Sequence, residues 1–215
     1  ISGKVYLVGH GYGAAVALRL ALAHRERIAG LVLYEPTLFS LLLADPGSRD
    51  AAMDIAVLRI VLGRYLDAGD WFRAALRYVD HWSGRDAWER LSTPQRAAIA
   101  WRMPELCARL DATLADPTHS SVYAAIDVPV LLLSGTRTPA STGRIAQLLA
   151  RTLPRAEWHT VDGAGQRGID SHPEAVDREI QDFLARHQAS WHRDPDPTAF
   201  ELPAFAYRHR GTGHG

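Results

Sequence analysis

The sequence predicts an α/β domain, in which a mostly parallel sheet is flanked by helices and interrupted by an all-helical insert. Short apolar runs alternate with helical patterns at the start of the chain and again after Pro129, as in parallel βαβ units. Between these two parts, residues 40–125 show only helical periodicity. We therefore expect a core of residues 1–39 and 126–187, a helical insert at 40–125, and a loosely attached, flexible tail at 188–215.

The first βαβ unit is short and well marked. Residues 4–8 and 28–34 are apolar runs, and a helix is predicted between them at residues 12–24. This helix has one apolar face, formed by Val16, Leu20 and Ala23. A short connection between neighbouring parallel strands implies a right-handed crossover.

The insert contains two clear helix starts. Asp70 is a candidate N-cap, and Ser92 and Gln95 have capping-box spacing around Pro94. Four of the six tryptophans lie in the insert: Trp71, Trp82, Trp88 and Trp101. We expect most of them in the core and one or two in the wall of a pocket.

The β/α alternation resumes in the last third of the chain. Strands are predicted at residues 130–133 and 157–161, with a helix at 145–153 between them. A final helix is expected to begin near His172-Pro173, where Ser171 and Glu174 have capping-box spacing.

Composition excludes several classes of function. With 47% hydrophobic residues, a chain of 215 residues can bury a substantial core. Lys+Arg and Asp+Glu both number 24, which argues against a nucleic-acid or anionic-membrane partner. The single Cys107 favours a cytoplasmic location, and no apolar run reaches the roughly 20 residues of a membrane helix. The chain opens at Ile1, almost directly on a strand and without a signal peptide, so we expect a fragment or a processed product.

Neither a metal nor a cofactor is predicted. His81, His209 and His214 lack the spacing of metal ligands, and solvated side chains are the simpler interpretation.

The segment between the first strand and the first helix carries the main chemical signal. It reads Leu7-Val8-Gly9-His10-Gly11-Tyr12-Gly13, the setting of a G-x-S-x-G nucleophile elbow, in which a sharp turn lifts a serine hydroxyl above the sheet. The flanking glycines are present, but Gly11 stands where the serine is expected. A residue without a side chain cannot attack a carbonyl carbon.

In four segments, taken in order, the chain resembles the C-terminal part of an α/β-hydrolase. The elbow is similar to that family's LVGHSYG, and Arg27-Ile28-Ala29-Gly30-Leu31-Val32-Leu33 is similar to its following strand. Pro129-Val130-Leu131-Leu132-Leu133-Ser134-Gly135 resembles the strand before the usual catalytic acid. Gly163-Ala164-Gly165-Gln166, followed by Ser171-His172-Pro173-Glu174, resembles GAGH…HPE. The resemblance covers about residues 4–187, and it implies that the helical insert is the family's lid.

Carried over residue by residue, the resemblance implies a degenerate catalytic triad. The nucleophile position falls on Gly11, the usual acid position on Thr138 and the histidine position on Gln166. Some family members place the acid after the preceding strand, where this chain has Glu35. The resemblance begins at the elbow strand, so we expect this segment to lack the family's first strands and the loop that donates the second oxyanion N–H.

These substitutions predict little or no serine-hydrolase turnover. A serine needs a base to take its proton, and removing either one from a comparable triad lowers turnover by about a million-fold, or roughly 8 kcal/mol of barrier. The interpretation is therefore a pseudo-hydrolase with a pocket between the elbow and the insert for a small, mostly apolar molecule. His10 and Tyr12 are candidate ligand contacts.

Each candidate residue also has a plainer interpretation. Gly11 reflects either decay of a catalytic site or a vacancy in which a ligand meets a helix N-terminus. Glu35 is either a retained acid or a solvated residue at a strand end. His10 is more often a packing residue in this fold, and His172 fits the start of a helix better than a base. Ser40 and Ser134 do not lie on an elbow, which argues against either of them acting as a displaced nucleophile.

Two other classes of function remain open at the level of sequence. Gly9-His10-Gly11-Tyr12-Gly13-Ala14 also satisfies G-x-G-x-x-A, and Glu35 ends the next strand, as in a dinucleotide-binding oxidoreductase. Alternatively, the chain is a non-catalytic scaffold. In that case the edge of the first strand is completed by a partner chain or by missing N-terminal residues.

Overall fold

A computed structural model of the protein describes residues 3–188, so most of the predicted tail, residues 189–215, lies outside the described residues. Twelve helices and strands follow one another in the described chain: β1 (Val5–His10), α1 (Tyr12–Ala23), β2 (Ile28–Tyr34), α2 (Ser40–Ala44), α3 (Arg49–Asp67), α4 (Trp71–Ser83), α5 (Thr93–Leu114), β3 (Val130–Gly135), α6 (Ala140–Thr152), β4 (Ala156–Val161), α7 (Gly168–Ser171) and α8 (Pro173–Gln188). Three short 3-10 turns connect them at residues 25–27, 46–48 and 120–125.

The four strands form one parallel sheet in the order β1-β2-β3-β4. The predicted fold class, a mostly parallel sheet flanked by helices, is therefore confirmed. Among the described strands each new one is added on the same side of the sheet. A dinucleotide-binding fold instead reverses its strand order beside the glycine-rich turn, so the sheet does not have the arrangement expected for that alternative.

Alternate side chains of the strands enter two separate cores. Leu31 and Leu132 face the larger core, which also holds α1, α6 and the helices between β2 and β3. Val32 and Leu131 face the smaller core, which Phe183 of α8 closes on the other side of the sheet. This two-residue alternation places helices on both faces and makes β2 and β3 buried on both sides.

Helix α1 is packed by its small residues rather than by its predicted apolar face. The residues that face the sheet are Ala14, Ala17, Leu18 and Ala21, whereas Val16 and Leu20 are exposed. Alanine side chains let the helix lie close to the strands, so the larger side chains are turned outwards. The prediction of a helix is correct, and the predicted apolar face of Val16, Leu20 and Ala23 is exposed rather than packed against the sheet.

Two of the helices between β2 and β3, α4 and α5, begin where the sequence predicts. The Asp70 carboxylate accepts a hydrogen bond from the Arg73 backbone N–H at 3.1 Å, which confirms the cap of α4. The Gln95 amide oxygen accepts from the Ser92 backbone N–H at 2.9 Å, as a capping box requires. Trp101 is 77% exposed and therefore does not belong to the core.

The C-terminal part differs from prediction in two local details. Helix α6 begins at Ala140, five residues before the predicted start. Ser171 is the last residue of α7, and its hydroxyl contacts the Arg167 carbonyl oxygen and Nδ1 of His172. The predicted capping box of α8 is wrong for this reason, because the chain takes an additional helical turn before Pro173. None of the described helices combines the length and the apolar character needed to cross a membrane.

Candidate functional site

The turn between β1 and α1 has the backbone conformation of a sharp elbow. Gly11 has φ 54° and ψ −117°, a region that residues with a side chain rarely adopt. Its N–H donates to the Tyr34 carbonyl at 2.9 Å, and its own carbonyl accepts from Ala14 N–H at 3.1 Å. The turn is thus anchored to β2 on one side and to the first turn of α1 on the other.

The two flanking glycines of the elbow have different structural roles. A Cβ on Gly9 would lie 2.5 Å from the Gly13 carbonyl oxygen and 2.7 Å from Cα of Ala14, so only glycine lets α1 start so close to β1. A Cβ on Gly13 would meet nothing within 4 Å. Gly9 is therefore required by packing, whereas Gly13 is not.

Gly11 and Gln166, the predicted nucleophile and histidine positions, lie next to each other. Gln166 lies in the loop that follows β4. Its side-chain Nε2 lies 3.3 Å from the position that a Cβ on Gly11 would occupy. In the described part of the chain the Gln166 side chain makes no hydrogen bond, whereas its backbone carbonyl accepts one from Nε2 of His10 at 2.8 Å. The amide thus faces the space above the elbow and is held there through its backbone.

The ring of His10 supports the loop that carries Gln166. Burial lowers the pKa of His10, and the hydrogen bond to the Gln166 carbonyl only partly opposes that shift. The ring is therefore neutral near pH 7, with its proton on Nε2, where the carbonyl accepts it. His10 also packs edge-on against Tyr34, at 5.6 Å between ring centroids.

Glu35 and Thr138, the two candidate acid positions, contact each other. The Glu35 carboxylate accepts hydrogen bonds from the Gly135 backbone N–H at 2.7 Å and from the Thr138 hydroxyl. Burial raises the pKa of Glu35, and these hydrogen bonds act in the opposite direction. Glu35 is fully buried, so its interpretation as a solvated strand-end residue is wrong. Among the described residues no hydrogen bond joins it to Gln166.

A cavity of about 670 Å³ opens above the elbow and extends between the sheet and helices α4 and α5. Its elbow side is lined by His10, Gly11, Tyr12, Thr37 and Gln166. The opposite wall is largely apolar and comes mainly from the helical segment: Phe39, Val79, Trp82, Leu91, Ile99, Leu106 and Leu110.

The cavity also has polar and charged residues in or behind its wall. Trp82 is 6% exposed, and its indole N–H has no acceptor among the described residues. The charged residues of the lining are Arg102, Arg109, Arg167 and Asp170. Arg167 pairs with Asp170 at 2.7 Å, and the Arg109 guanidinium lies over the Tyr12 ring, 5.6 Å from its centroid. The lining therefore carries more positive than negative charge.

The remaining candidates lie outside this cavity. The Ser134 hydroxyl accepts from the Trp158 indole N–H at 2.8 Å, and the Ser40 hydroxyl is buried without a partner in the described chain. His172 contacts Ser171 at the start of α8. Nε2 of His81 lies 3.8 Å from a carboxylate oxygen of Asp54, and no group of three or more metal-ligating side chains occurs within residues 3–188. His209 and His214 are outside the described residues.

Sequence reasoning did not find the arginines of the cavity or the unpartnered indole of Trp82. Arg102, Arg109 and Trp82 lie on α4 and α5, far from the elbow in the chain, and their convergence depends on how these helices fold over the sheet. The only available signal was the concentration of tryptophans in the insert, from which one or two pocket residues were expected. Trp82 is one of them.

Comparison with known proteins agrees with this arrangement. The sequence profile described as "Alpha/beta hydrolase family" matches residues 1–179. An elbow after β1, a parallel sheet and a Gly-rich loop after β4 are the parts that the resemblance implied. The chain therefore belongs to the alpha/beta hydrolase family.

Several solved structures share the fold. A putative non-heme bromoperoxidase from Mycobacterium tuberculosis is 19% identical, with a TM-score of 0.63, over 85% of this chain and 67% of its own. An esterase from Thermogutta terrifontis is 24% identical, with a TM-score of 0.64, over 86% and 66%. A hydrolase from Pseudomonas aeruginosa is 21% identical, with a TM-score of 0.63, over 84% and 64%. The chain thus spans about two thirds of the length of these proteins, and at these identities the similarity establishes the fold alone.

Proposed function

We propose that this protein descends from small-molecule ester or amide hydrolases and has little or no serine-hydrolase turnover of its own. The observation that carries the proposal is Gly11 at the elbow, with the Gln166 amide against it. Gly11 has no nucleophilic atom, and a glutamine amide cannot accept a proton from a hydroxyl near neutral pH. The remaining candidate acid, Glu35, is engaged by Gly135 and Thr138 rather than by a base.

We further propose that the cavity above the elbow binds a small, mostly apolar molecule. The support is its volume of about 670 Å³ and the apolar side chains that α4 and α5 contribute. Cavities of this size, with few polar groups, are typical of small-molecule sites. His10 and Tyr12 line the cavity beside Gly11, in agreement with the proposed role as ligand contacts.

An active-site-directed fluorophosphonate probe tests the loss of turnover. We expect no stoichiometric labelling of the purified protein, because the elbow has no hydroxyl. Labelling of one serine per molecule, located by peptide mass spectrometry, would refute the proposal. Ser134 and Ser40 are the residues to inspect first, since Ser134 lies at the carboxyl end of β3 and Ser40 is buried at the start of α2.

Ligand binding is tested by thermal shift against a panel of esters and acyl compounds, followed by tryptophan fluorescence. Trp82 lines the cavity, so we expect Trp82→Phe to remove the fluorescence change that a bound ligand causes. Trp101→Phe is the matched control, because Trp101 is exposed and does not line the cavity. A panel in which no compound raises the melting temperature removes the support for binding.

The edge of the sheet favours a second role, as a scaffold completed by another polypeptide segment. β1 is an edge strand in the described sheet, and Val8 on it is 61% exposed. The exposed Val16 and Leu20 of α1 lie on the next element of the chain. An apolar strand edge of this kind pairs readily with a further strand, supplied by a partner chain or by residues preceding the segment. A stable monomer by size-exclusion chromatography with light scattering would argue against a required partner.

A cytoplasmic location is also part of the proposal. It is supported by the single cysteine of the sequence, since Cys107 is free and buried in the insert.

A further inference from the structure

We propose that the protein has a further small-molecule site, a cleft beside the edge strand β4, and that this cleft binds a neutral pyranose sugar. Among the described residues, the cleft and the elbow cavity have no lining residue in common, so a ligand here is independent of the function proposed for the elbow. Three features of the cleft point to a sugar: an exposed tryptophan, a fixed arginine and a lining of balanced charge.

The cleft lies towards the carboxyl ends of β3 and β4, and its volume of about 690 Å³ is within the range of small-molecule sites. One wall is α6, which contributes Arg144 and Gln147, and the other is the turn at residues 46–48 with the start of α3. Trp158 and Thr160 of β4 are both exposed, so the cleft is open to solvent at this edge of the sheet.

Trp158 presents an aromatic surface to the cleft. It pairs in register with Leu132, whose side chain faces the larger core, yet Trp158 is 40% exposed because β4 is the last strand of the described sheet. Its indole N–H donates to the buried Ser134 hydroxyl at 2.8 Å, so the donor is directed into the protein and the ring offers mainly carbon to the cleft. A fixed aromatic surface of this kind packs well against the C–H groups of a sugar ring.

The polar wall opposite is held in place by Arg144. Its Nε donates to the Ser48 hydroxyl at 2.8 Å, and its Nη2 donates to the Asp45 carboxylate at 3.0 Å. A Cβ on Gly47 would lie 3.1 Å from Nη2, so glycine leaves room for the guanidinium beside the turn. Nη1 donates to the amide oxygen of Gln147, which leaves the amide NH2 group of Gln147 for a ligand. Polar groups that are already ordered lose little side-chain entropy when a ligand binds.

The charge of the cleft favours a neutral ligand over an anion. The Arg144 guanidinium is paired with Asp45, and the lining residues Arg49 and Asp50 carry opposite charges at the start of α3. An anion therefore meets no net positive charge here. A hydroxyl group can donate to a carboxylate and accept from an amide or a guanidinium, so a ligand rich in hydroxyls uses both kinds of lining group. Planar carboxylate, amide and guanidinium groups can also bond two adjacent sugar hydroxyls at once.

The test titrates the full chain with maltotriose, cellotriose and mannotriose and follows the indole ¹⁵N–¹H signal of Trp158, which is assigned by its loss in Trp158→Phe. We expect a saturable shift with at least one trisaccharide, with a Kd of about 1–10 mM. Cyclohexanol, a ring with a single hydroxyl, and inorganic phosphate should bind at least about tenfold more weakly. Absence of a saturable shift with all three sugars overturns the inference. Binding of cyclohexanol or phosphate as tight as that of the sugars also overturns it, because the cleft would then be an apolar or an anion site.

Two pairs of variants locate the binding site. Gln147→Met removes the amide and should weaken sugar binding about threefold or more, whereas Gln181→Met, an exposed change on α8 outside the cleft, should leave it unchanged. Trp158→Leu should weaken binding at least about tenfold by calorimetry. Trp101→Leu is its matched control, because Trp101 is exposed and does not line the cleft.

The melting temperature of each variant shows that it is folded. Folded cleft variants that bind the sugar as tightly as their controls would place the ligand elsewhere and refute the inference.

Discussion

The Gln166 amide nitrogen lies 3.3 Å from the position that a Cβ on Gly11 would occupy, although 155 positions separate the two residues in the sequence. In the proposed function these are the former nucleophile and histidine positions, and they fall on one spot of the molecule. On that proposal Gly11 removes the hydroxyl, and Gln166 removes the group that would accept its proton. Restoring one without the other should therefore have little effect.

The paired substitution Gly11→Ser with Gln166→His should produce measurable ester hydrolysis. A hydroxyl at the elbow and an imidazole beside it recreate a nucleophile and its general base, and a positioned base contributes about a hundred-fold or more. We expect the pair to cleave p-nitrophenyl acetate at least about a hundred-fold faster than the natural sequence, measured by release of nitrophenolate.

The control for this prediction is Gly11→Ala with Gln166→His. It adds the same Cβ and the same imidazole but no hydroxyl, so any activity that it shows comes from the histidine alone. Equal rates for the two pairs would contradict the assignment of Gly11 as the former nucleophile position.

The three elbow glycines should respond differently to alanine. Gly9→Ala brings a Cβ within 2.5 Å of a backbone oxygen, and we expect a loss of about 3 kcal/mol in the free energy of unfolding. Gly11→Ala forces a side chain into φ 54°, at a cost of about 1–2 kcal/mol. Gly13→Ala lies in open space on a helix and should stabilise by about 0.5–1 kcal/mol. Urea unfolding measures all three, and equal losses would contradict this account.

The sequence was sufficient for the sheet, because β1, β2 and β3 are mostly apolar runs and β/α alternation places β4 after the next helix. Ile28–Tyr34 is observed as predicted, and β3 and β4 extend their predicted runs by two residues and one residue. The face of α1 was not predictable from apolar spacing alone. Its packing is decided by how closely Ala14 and Ala17 approach the strands, which depends on tertiary structure.

The candidate site was predictable only where the residues are joined by a motif. Gly11 and Gln166 could be placed by the family resemblance, and the structure brings them together. The burial of Glu35 was not predictable, because it depends on the Gly135 N–H and the Thr138 hydroxyl, which the fold supplies from β3 and the loop that follows it. The position of Arg102 and Arg109 in the cavity wall depends on how α5 packs over the sheet, and the sequence carries no local signal for that packing.

The buried carboxyl of Glu35 should give the protein a specific pH dependence. Burial raises its pKa above the ordinary value of 4.5, so the folded state binds more protons than the unfolded state. The free energy of unfolding should therefore decrease as the pH rises from about 4.5 through the folded pKa and then become constant. Glu35→Gln removes this titration, so the stability of the natural protein relative to the variant should fall over that window.

Urea midpoints of both proteins at several pH values from about 4.5 to 8.5 provide the measurement. Glu89→Gln is the control, since Glu89 is exposed and its variant should follow the natural protein across the range. A constant difference between the natural protein and Glu35→Gln would contradict the proposed protonation of Glu35.

The two edges of the sheet differ in chemistry, and this difference predicts how the chain associates. On β4, Glu157 pairs with Arg186 and His159 contacts Glu179, each at 2.6 Å, so charged groups protect that edge. β1 carries the apolar run Val5-Tyr6-Leu7-Val8 and pairs with β2 on one side only, so its other side has no strand in the described sheet. A charged side chain on an edge strand normally prevents that strand from pairing with another one. β1 has the exposed apolar Val8 at its edge instead.

Val8→Lys should therefore reduce self-association of the chain. Light scattering over a concentration series should show a smaller average mass for Val8→Lys than for the natural sequence. Ile60→Lys, which changes an exposed apolar residue on α3 in the same way, should have the mass of the natural sequence. If Ile60→Lys dissociates the assembly and Val8→Lys does not, the helical surface rather than the strand edge holds it together. A monomer at every concentration for all three proteins would show that the β1 edge does not drive association.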